Sequence, residues 1–231
     1  MIALADQPYI CGYCNKGFTQ EKTLFVHICE QKRRALARTE RHVVLAYDTF
    51  CRFFKRAQPQ NKQEKTYEDF CKSSYYNAFV KFGSFVSNVN PLYPERFINW
   101  VVVSGVKLDH WCRDELYEQY VFELIKSETV ETALQRSIET MMSWADTHNA
   151  LWNHYFLYVS LSRACYDIKD GKISPWLILN STNGKTMLKN FNDEQLVHIQ
   201  NIIDLQFWMH KFKKHPADVQ LVKEVVKESV I

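Results

Sequence analysis

The 231-residue sequence predicts a mostly α protein, with a small ββα-like module at the N-terminus, a basic amphipathic helix behind it and an all-α body of many helices. Three observations carry that expectation. Glycine and proline occur only 6 times each, where average usage would place about 16 and about 12 in a chain of this length. So few breakers disfavour a turn-rich β sandwich and the glycine-lined loops that hold dinucleotides or nucleoside triphosphates. Apolar residues recur at steps of three and four through most of the chain, the helical period. Three of the 7 cysteines crowd into residues 1–30 together with one histidine.

Composition narrows the class further. Hydrophobic residues at 46% and aromatics at 14% supply ample apolar surface to offset chain entropy. The net charge of +3 suits neither a polycation nor an acidic tail protein. No stretch reaches the roughly 18 uninterrupted apolar residues of a membrane span. Met1 to Tyr9 holds Asp6 and Pro8 and lacks a basic start, so no signal peptide is expected. An odd cysteine count in a chain too long to need stapling points to a reducing compartment, with thiols and metal ligation. The expected location is cytoplasmic.

The chain divides into three parts by character: residues 1–30 as the module, 31–57 as the basic connecting helix and 58–231 as the helical body. In the first part Cys11 and Cys14 are separated by two residues, a spacing that places both thiolates on a tight knuckle within reach of one metal at about 2.3 Å. Twelve residues separate Cys14 from His27, enough for a returning strand and the start of a helix that offers imidazole to the same ion. Phe18 and Leu24 fall where such a small module needs apolar anchors beneath the metal.

These positions, with Tyr9 ahead of Cys11, resemble the Cys-Cys-His-His zinc finger family over about 22 residues. The resemblance implies a Zn2+ ion held by Cys11, Cys14, His27 and a fourth ligand. The family places that ligand four to six residues after the histidine, where this chain has Gln31, Lys32 and Arg33. Cys29 lies only two residues on, and positions two apart point to different sides of a regular helix. Cys29 therefore binds only if the helix ends or tightens at His27, with His42 or a water as the alternatives. Thiolate strength and an easily distorted terminal turn favour Cys29. Four protein ligands leave no position for an activated water, so such a zinc is structural.

Residues 30–56 carry eight basic side chains against three acidic ones, a net of +5. Leu36, Val43, Tyr47, Phe50 and Phe54 fall on one helical face, with the arginines of the first half off that stripe or at its edge. A module of this family followed by a basic helix suggests nucleic acid, DNA ahead of RNA, held at its phosphates by Lys32, Arg33, Arg34, Arg38 and Arg41. Base readout from Gln20, Glu21 and Lys22 would be modest. The alternative partner is an acidic protein surface, with the module as a docking knob in an assembly.

The body opens after a polar, proline-containing link (58–65), with Thr66 as N-cap before Glu68 and Asp69. Residues 75–86 are apolar nearly all round, as a buried helix is. Pro94 begins another helix, with Phe97, Trp100 and Val101 on one side. Helices are expected over Asp114–Ile125 and Glu128–Trp144. The second carries a stripe of Val130, Leu134, Ile138, Met141 and Ala145, with Arg136 outside it. Trp152–Tyr166 reads as one apolar helix and Ile173–Leu179 as an extended segment. Asn192 to Gln195 start a helix before Leu196, Ile199 and Ile203, and the tail after Pro216 is helical again.

Other constellations carry little chemistry. Asn183-Gly-Lys-Thr186 has the letters of a phosphate loop, but Leu179 stands where the first glycine is required. Asp109 to Asp114 gathers His110 and Cys112, which fits a helix start better than a nucleophile with its base. No residue set for catalysis emerges, and a non-enzymatic accessory or regulatory role is expected. The runs Cys29–Arg34, Tyr75–Gly83 and Gly171–Trp176 resemble uncharacterised zinc-finger proteins of large contractile-tailed bacteriophages. That resemblance implies a bacteriophage protein made in a host bacterial cytoplasm and brings no activity with it.

Overall fold

The computed structural model describes residues 9–61 and 63–231; the expectation about a signal peptide falls on residues almost wholly outside these. Among the described residues the fold is mostly α, with fifteen α-helices and one two-stranded sheet. The chain forms two compact units, one ending at Arg113 and one running Asp114–Ile231. No helix among the described residues is long and apolar enough to cross a membrane.

The first unit begins with β1 (Tyr9–Ile10) and β2 (Gly17–Phe18), antiparallel with Tyr9 opposite Phe18. Two short helices follow, α1 (Glu21–Val26) and α2 (Glu30–Leu36), then a 3-10 turn over Ala37–Thr39 and the long α3 (Arg41–Ala57). The basic segment is thus two helices and not one. The break falls at Glu40, whose extended backbone (φ −70°, ψ 131°) starts α3 afresh. The rotation introduced there takes Leu36 off the buried stripe and leaves it exposed, while Val43 and Phe50 lie in the core.

Three helices complete this unit: α4 (Tyr67–Lys72), α5 (Tyr76–Val89) and α6 (Pro94–Val103). Thr66 and Asp69 close a capping box at the start of α4, each side chain bonding the other's backbone N–H. The core is aromatic: Phe50, Phe70, Phe79, Phe82, Phe97 and Trp111 are buried together, the Phe82 and Trp111 rings 5.2 Å apart. Buried Trp111 satisfies its indole N–H on the Val106 carbonyl at 2.8 Å. Helices α3 and α5 cross so closely that a Cβ on Gly83 would lie 2.0 Å from the His42 carbonyl oxygen. Only glycine fits that crossing.

The second unit holds α7 (Asp114–Ser127), α8 (Val130–His148), α9 (Tyr155–Tyr158), α10 (Leu161–Lys169), α11 (Pro175–Asn180), α12 (Thr182–Lys189), α13 (Asp193–Ile199), α14 (Leu205–Lys214) and α15 (Pro216–Ser229). The stretch 152–166 is a 3-10 turn, α9 and the first part of α10. It is interrupted where the Ser160 hydroxyl accepts from the Arg163 N–H and caps α10. The segment Ile173–Leu179 is helical from Pro175 on, correcting the extended reading. Pro175 occupies the first turn, Ser174 caps it, and Trp176, Leu177 and Ile178 are all buried. A helix apolar all round shows no period by which to tell it from a strand.

Arg136 is also placed differently: it is buried, its guanidinium paired with buried Glu128 and donating to the Gly171 carbonyl at 2.7 Å. The pairing lets two charges sit inside a helical core, where either alone would be strongly unfavourable. Trp176 and Trp208 meet edge to face beside them at 5.7 Å.

Candidate metal centre

The centre is assembled by local backbone geometry. After β1 the chain turns through a knuckle in which the Cys11 N–H donates to the Lys16 carbonyl and the Asn15 N–H to the Cys11 carbonyl, both at 2.9 Å. Asn15 takes the left-handed conformation (φ +59°) that lets so tight a turn reverse into β2. Helix α1 then carries the chain to His27. It ends there: His27 has extended backbone (ψ 121°), and its N–H bonds the Leu24 carbonyl at 3.1 Å. Cys29, also extended, becomes the N-cap of α2. This is the early helix end that a ligand two residues beyond His27 requires.

The ligand atoms of Cys11, Cys14, His27 and Cys29 consequently all lie within 4.8 Å of one another, close enough to hold one metal ion. Cys11 Sγ is 4.0 Å from Cys29 Sγ, and Cys14 Sγ is 3.3 Å from His27 Nε2. Tetrahedral coordination with metal–sulfur near 2.3 Å and metal–nitrogen near 2.0 Å would set such separations at about 3.8 and about 3.6 Å. The observed edges bracket those values. His42, the other imidazole considered, lies 3.5 Å from the Glu40 carboxylate and outside the cluster.

Electrostatics favour thiolate at Cys11. Backbone N–H groups of Cys14 and Tyr13 aimed at Cys11 lower its pKa to about 7. Cys14 moves the other way: the Lys16 N–H pulls its pKa down, but desolvation and the neighbouring Cys29 and Cys11 thiols outweigh it and raise the value. Several thiols converging on one point cannot all ionise without a cation, and a bound divalent ion supplies that charge. Cys29 Sγ also accepts from the Lys32 N–H at 3.4 Å, and the Phe18 ring packs 4.8 Å from the His27 ring, fixing its orientation.

The five basic residues beside the centre have different fates. Arg34 is turned inward. Its guanidinium donates to the Cys71 carbonyl at 2.8 Å and to Glu30 at 3.0 Å, and lies 4.3 Å from the centre of the Tyr76 ring. Lys32 Nζ reaches back to the His27 carbonyl at 3.4 Å. Arg33 is exposed and pairs with Glu30, Arg38 lies over the Tyr67 ring, and Arg41 is exposed at the start of α3. Sequence reasoning missed Arg34's role, since apart from Glu30 the partners named, Cys71 and Tyr76, lie 37 and more residues away.

His110 and Cys112 form no nucleophile pair among the described contacts. Burial pushes the Cys112 thiol up, away from the thiolate a nucleophile needs. No family model, no curated protein and no solved structure matches the chain. Neither resemblance seen in the sequence gains a relative from these comparisons.

Proposed function

We propose that this is a structural zinc protein that contacts nucleic acid without catalysing a reaction on it. Zinc is the ion that three thiolates and one imidazole at tetrahedral spacing suit best, and four protein ligands make it a folding element. The observation that carries the nucleic-acid reading is the charge of residues 30–56, a net of +5 set directly behind the metal centre. Of its cations, Arg33, Arg38 and Arg41 remain exposed to meet phosphates. Residues 1–30 then serve as the finger, 31–57 as the basic connector and 58–231 as the scaffold. A bacteriophage origin and a cytoplasmic setting rest on the sequence alone and belong to the same proposal.

A second reading has its own observation. The finger exposes Ile10, Tyr13, Phe25, Val26 and Ile28, an apolar surface of the kind that docks proteins. The test is binding of the zinc-loaded protein to labelled duplex DNA, single-stranded DNA and RNA over a salt series, beside a variant with Arg33, Arg38 and Arg41 changed to Ala. Affinity should fall linearly in log salt, and the variant's slope should flatten by about one unit for each lost phosphate contact. Binding indifferent to salt and to polyanion competitor would replace this reading with the docking one.

A further inference from the structure

The metal centre opens onto a cleft of about 440 Å³ whose lining includes the ligands Cys11 and His27 and extends past them to Ile10, Tyr13, Phe25 and Lys32, with Glu21 also in its wall. Its volume falls within the range of roughly 300–1,000 Å³ typical of sites that hold a small planar group. Phe25 is 84% exposed and Tyr13 is 48% exposed. Their rings stand in water although, among the described residues of the finger, Cys11 is the one buried side chain. A finger built only to fold would turn those rings inward.

We infer that this cleft takes an unpaired base of a single-stranded nucleic acid, stacked on the Phe25 and Tyr13 rings, with the adjoining phosphates on Lys32 and the exposed arginines. The inference rests on the nucleic-acid reading above and names its substrate class. One feature favours a single strand over a duplex. Every base has a π face that stacks on an aromatic ring whatever its identity, but in a duplex those faces are covered by neighbouring pairs. A duplex would offer these rings groove edges, sugars and phosphates but no open base face. The charge is also complementary: Lys32 lies in the cleft wall itself, and the +5 segment continues from it. Glu21 does not oppose this arrangement, since a carboxylate accepts from the exocyclic amino group of a base.

The test compares fluorescein-labelled oligodeoxycytidylate of about ten nucleotides, within the usual single-strand site size, with a hairpin duplex of similar charge. The zinc-loaded full chain is measured beside Phe25→Ala/Tyr13→Ala and Phe25→Trp. The double alanine variant should lose on the order of tenfold or more in affinity for the single strand, with its metal content and salt slope unchanged. Its duplex binding should stay the same, and Phe25→Trp should bind the single strand as wild type does. Both rings are exposed, so the fold does not depend on them, and metal content checks that directly. Equal single-strand affinity in wild type and double variant would overturn the base seat and leave the phosphate reading standing. An equal loss for duplex and single strand would overturn the preference for unpaired bases. No binding to either probe at low salt would overturn both readings and assign the cleft to a protein partner.

Discussion

Between Tyr9 and Cys29 only Cys11 is buried, whereas α3 and α5 alone bury Val43, Ala46, Phe50, Phe79, Phe82 and Val86. The two regions adjoin in the chain, yet they are held by different physics. A segment of about 20 residues cannot bury enough surface to fold by itself, so in the reading proposed above the finger's order would come from ligand bonds to one ion. The helices behind it have a close-packed aromatic interior and need no ion. The difference shows why the same unit tolerates exposed rings at one end and no extra methyl group at the other.

Losing the ion should have the largest effect. Cys11→Ser, or stripping metal with a chelator, should remove the finger's folding energy, about 10–16 kcal/mol for structural zinc at neutral pH. Metal content by atomic emission should fall well below one ion per chain, and far-UV circular dichroism should keep most of its helical signal. Unchanged metal content would remove Cys11 from the centre, and a collapse of helicity would break the contrast between the regions.

Gly83→Ala probes the other side. With a Cβ 2.0 Å from a backbone oxygen, α3 and α5 must move apart, at a cost of about 3 kcal/mol. The urea midpoint of the first unit should drop while metal content stays at the wild-type level. Metal lost in step with stability would show that the finger and the helices unfold together.

The smallest expected effect lies on the surface of the second unit. The Phe207 N–H, followed by the Lys126 ammonium, holds the Asp204 carboxyl below the usual carboxylate range. A carboxyl depressed by folding adds stability above its unfolded pKa of about 4, and that stability fades as pH falls through the folded value. Asp204→Asn should therefore cost no more than about 1 kcal/mol at pH 7. The gap between wild type and variant in urea titrations should close as the pH falls below the usual carboxylate range. A gap that persists there would mean that the cap acts through shape and not charge.

How far each part could be foreseen follows the distance over which it is determined. The metal cluster was legible because Cys11, Cys14, His27 and Cys29 lie within 19 residues, and the early end of α1 was a condition Cys29 itself imposed. Caps at Thr66 and Asn192 were legible for the same local reason. The break at Glu40 was not, because Leu36 and Val43 keep the helical period across it. The helix at Pro175 was hidden by burial on every side. Arg136 and Arg34 looked like surface charges because Glu128 and Gly171 in one case, and Cys71 and Tyr76 in the other, become their partners only in the folded unit.

Arg34 makes α2 a lever. One end is Cys29, at once the N-cap of α2 and a member of the cluster that could hold a metal. The other is clamped by Arg34 to the Cys71 carbonyl and the Tyr76 ring, and by the Tyr67 hydroxyl donating to the Arg34 carbonyl at 2.6 Å. Such a rod is under two tethers and transmits tension. A load on the finger would pass to both ends of α4, through Tyr67 and Cys71, and to the first turn of α5, through Tyr76, and amide exchange there is where the strain would be felt.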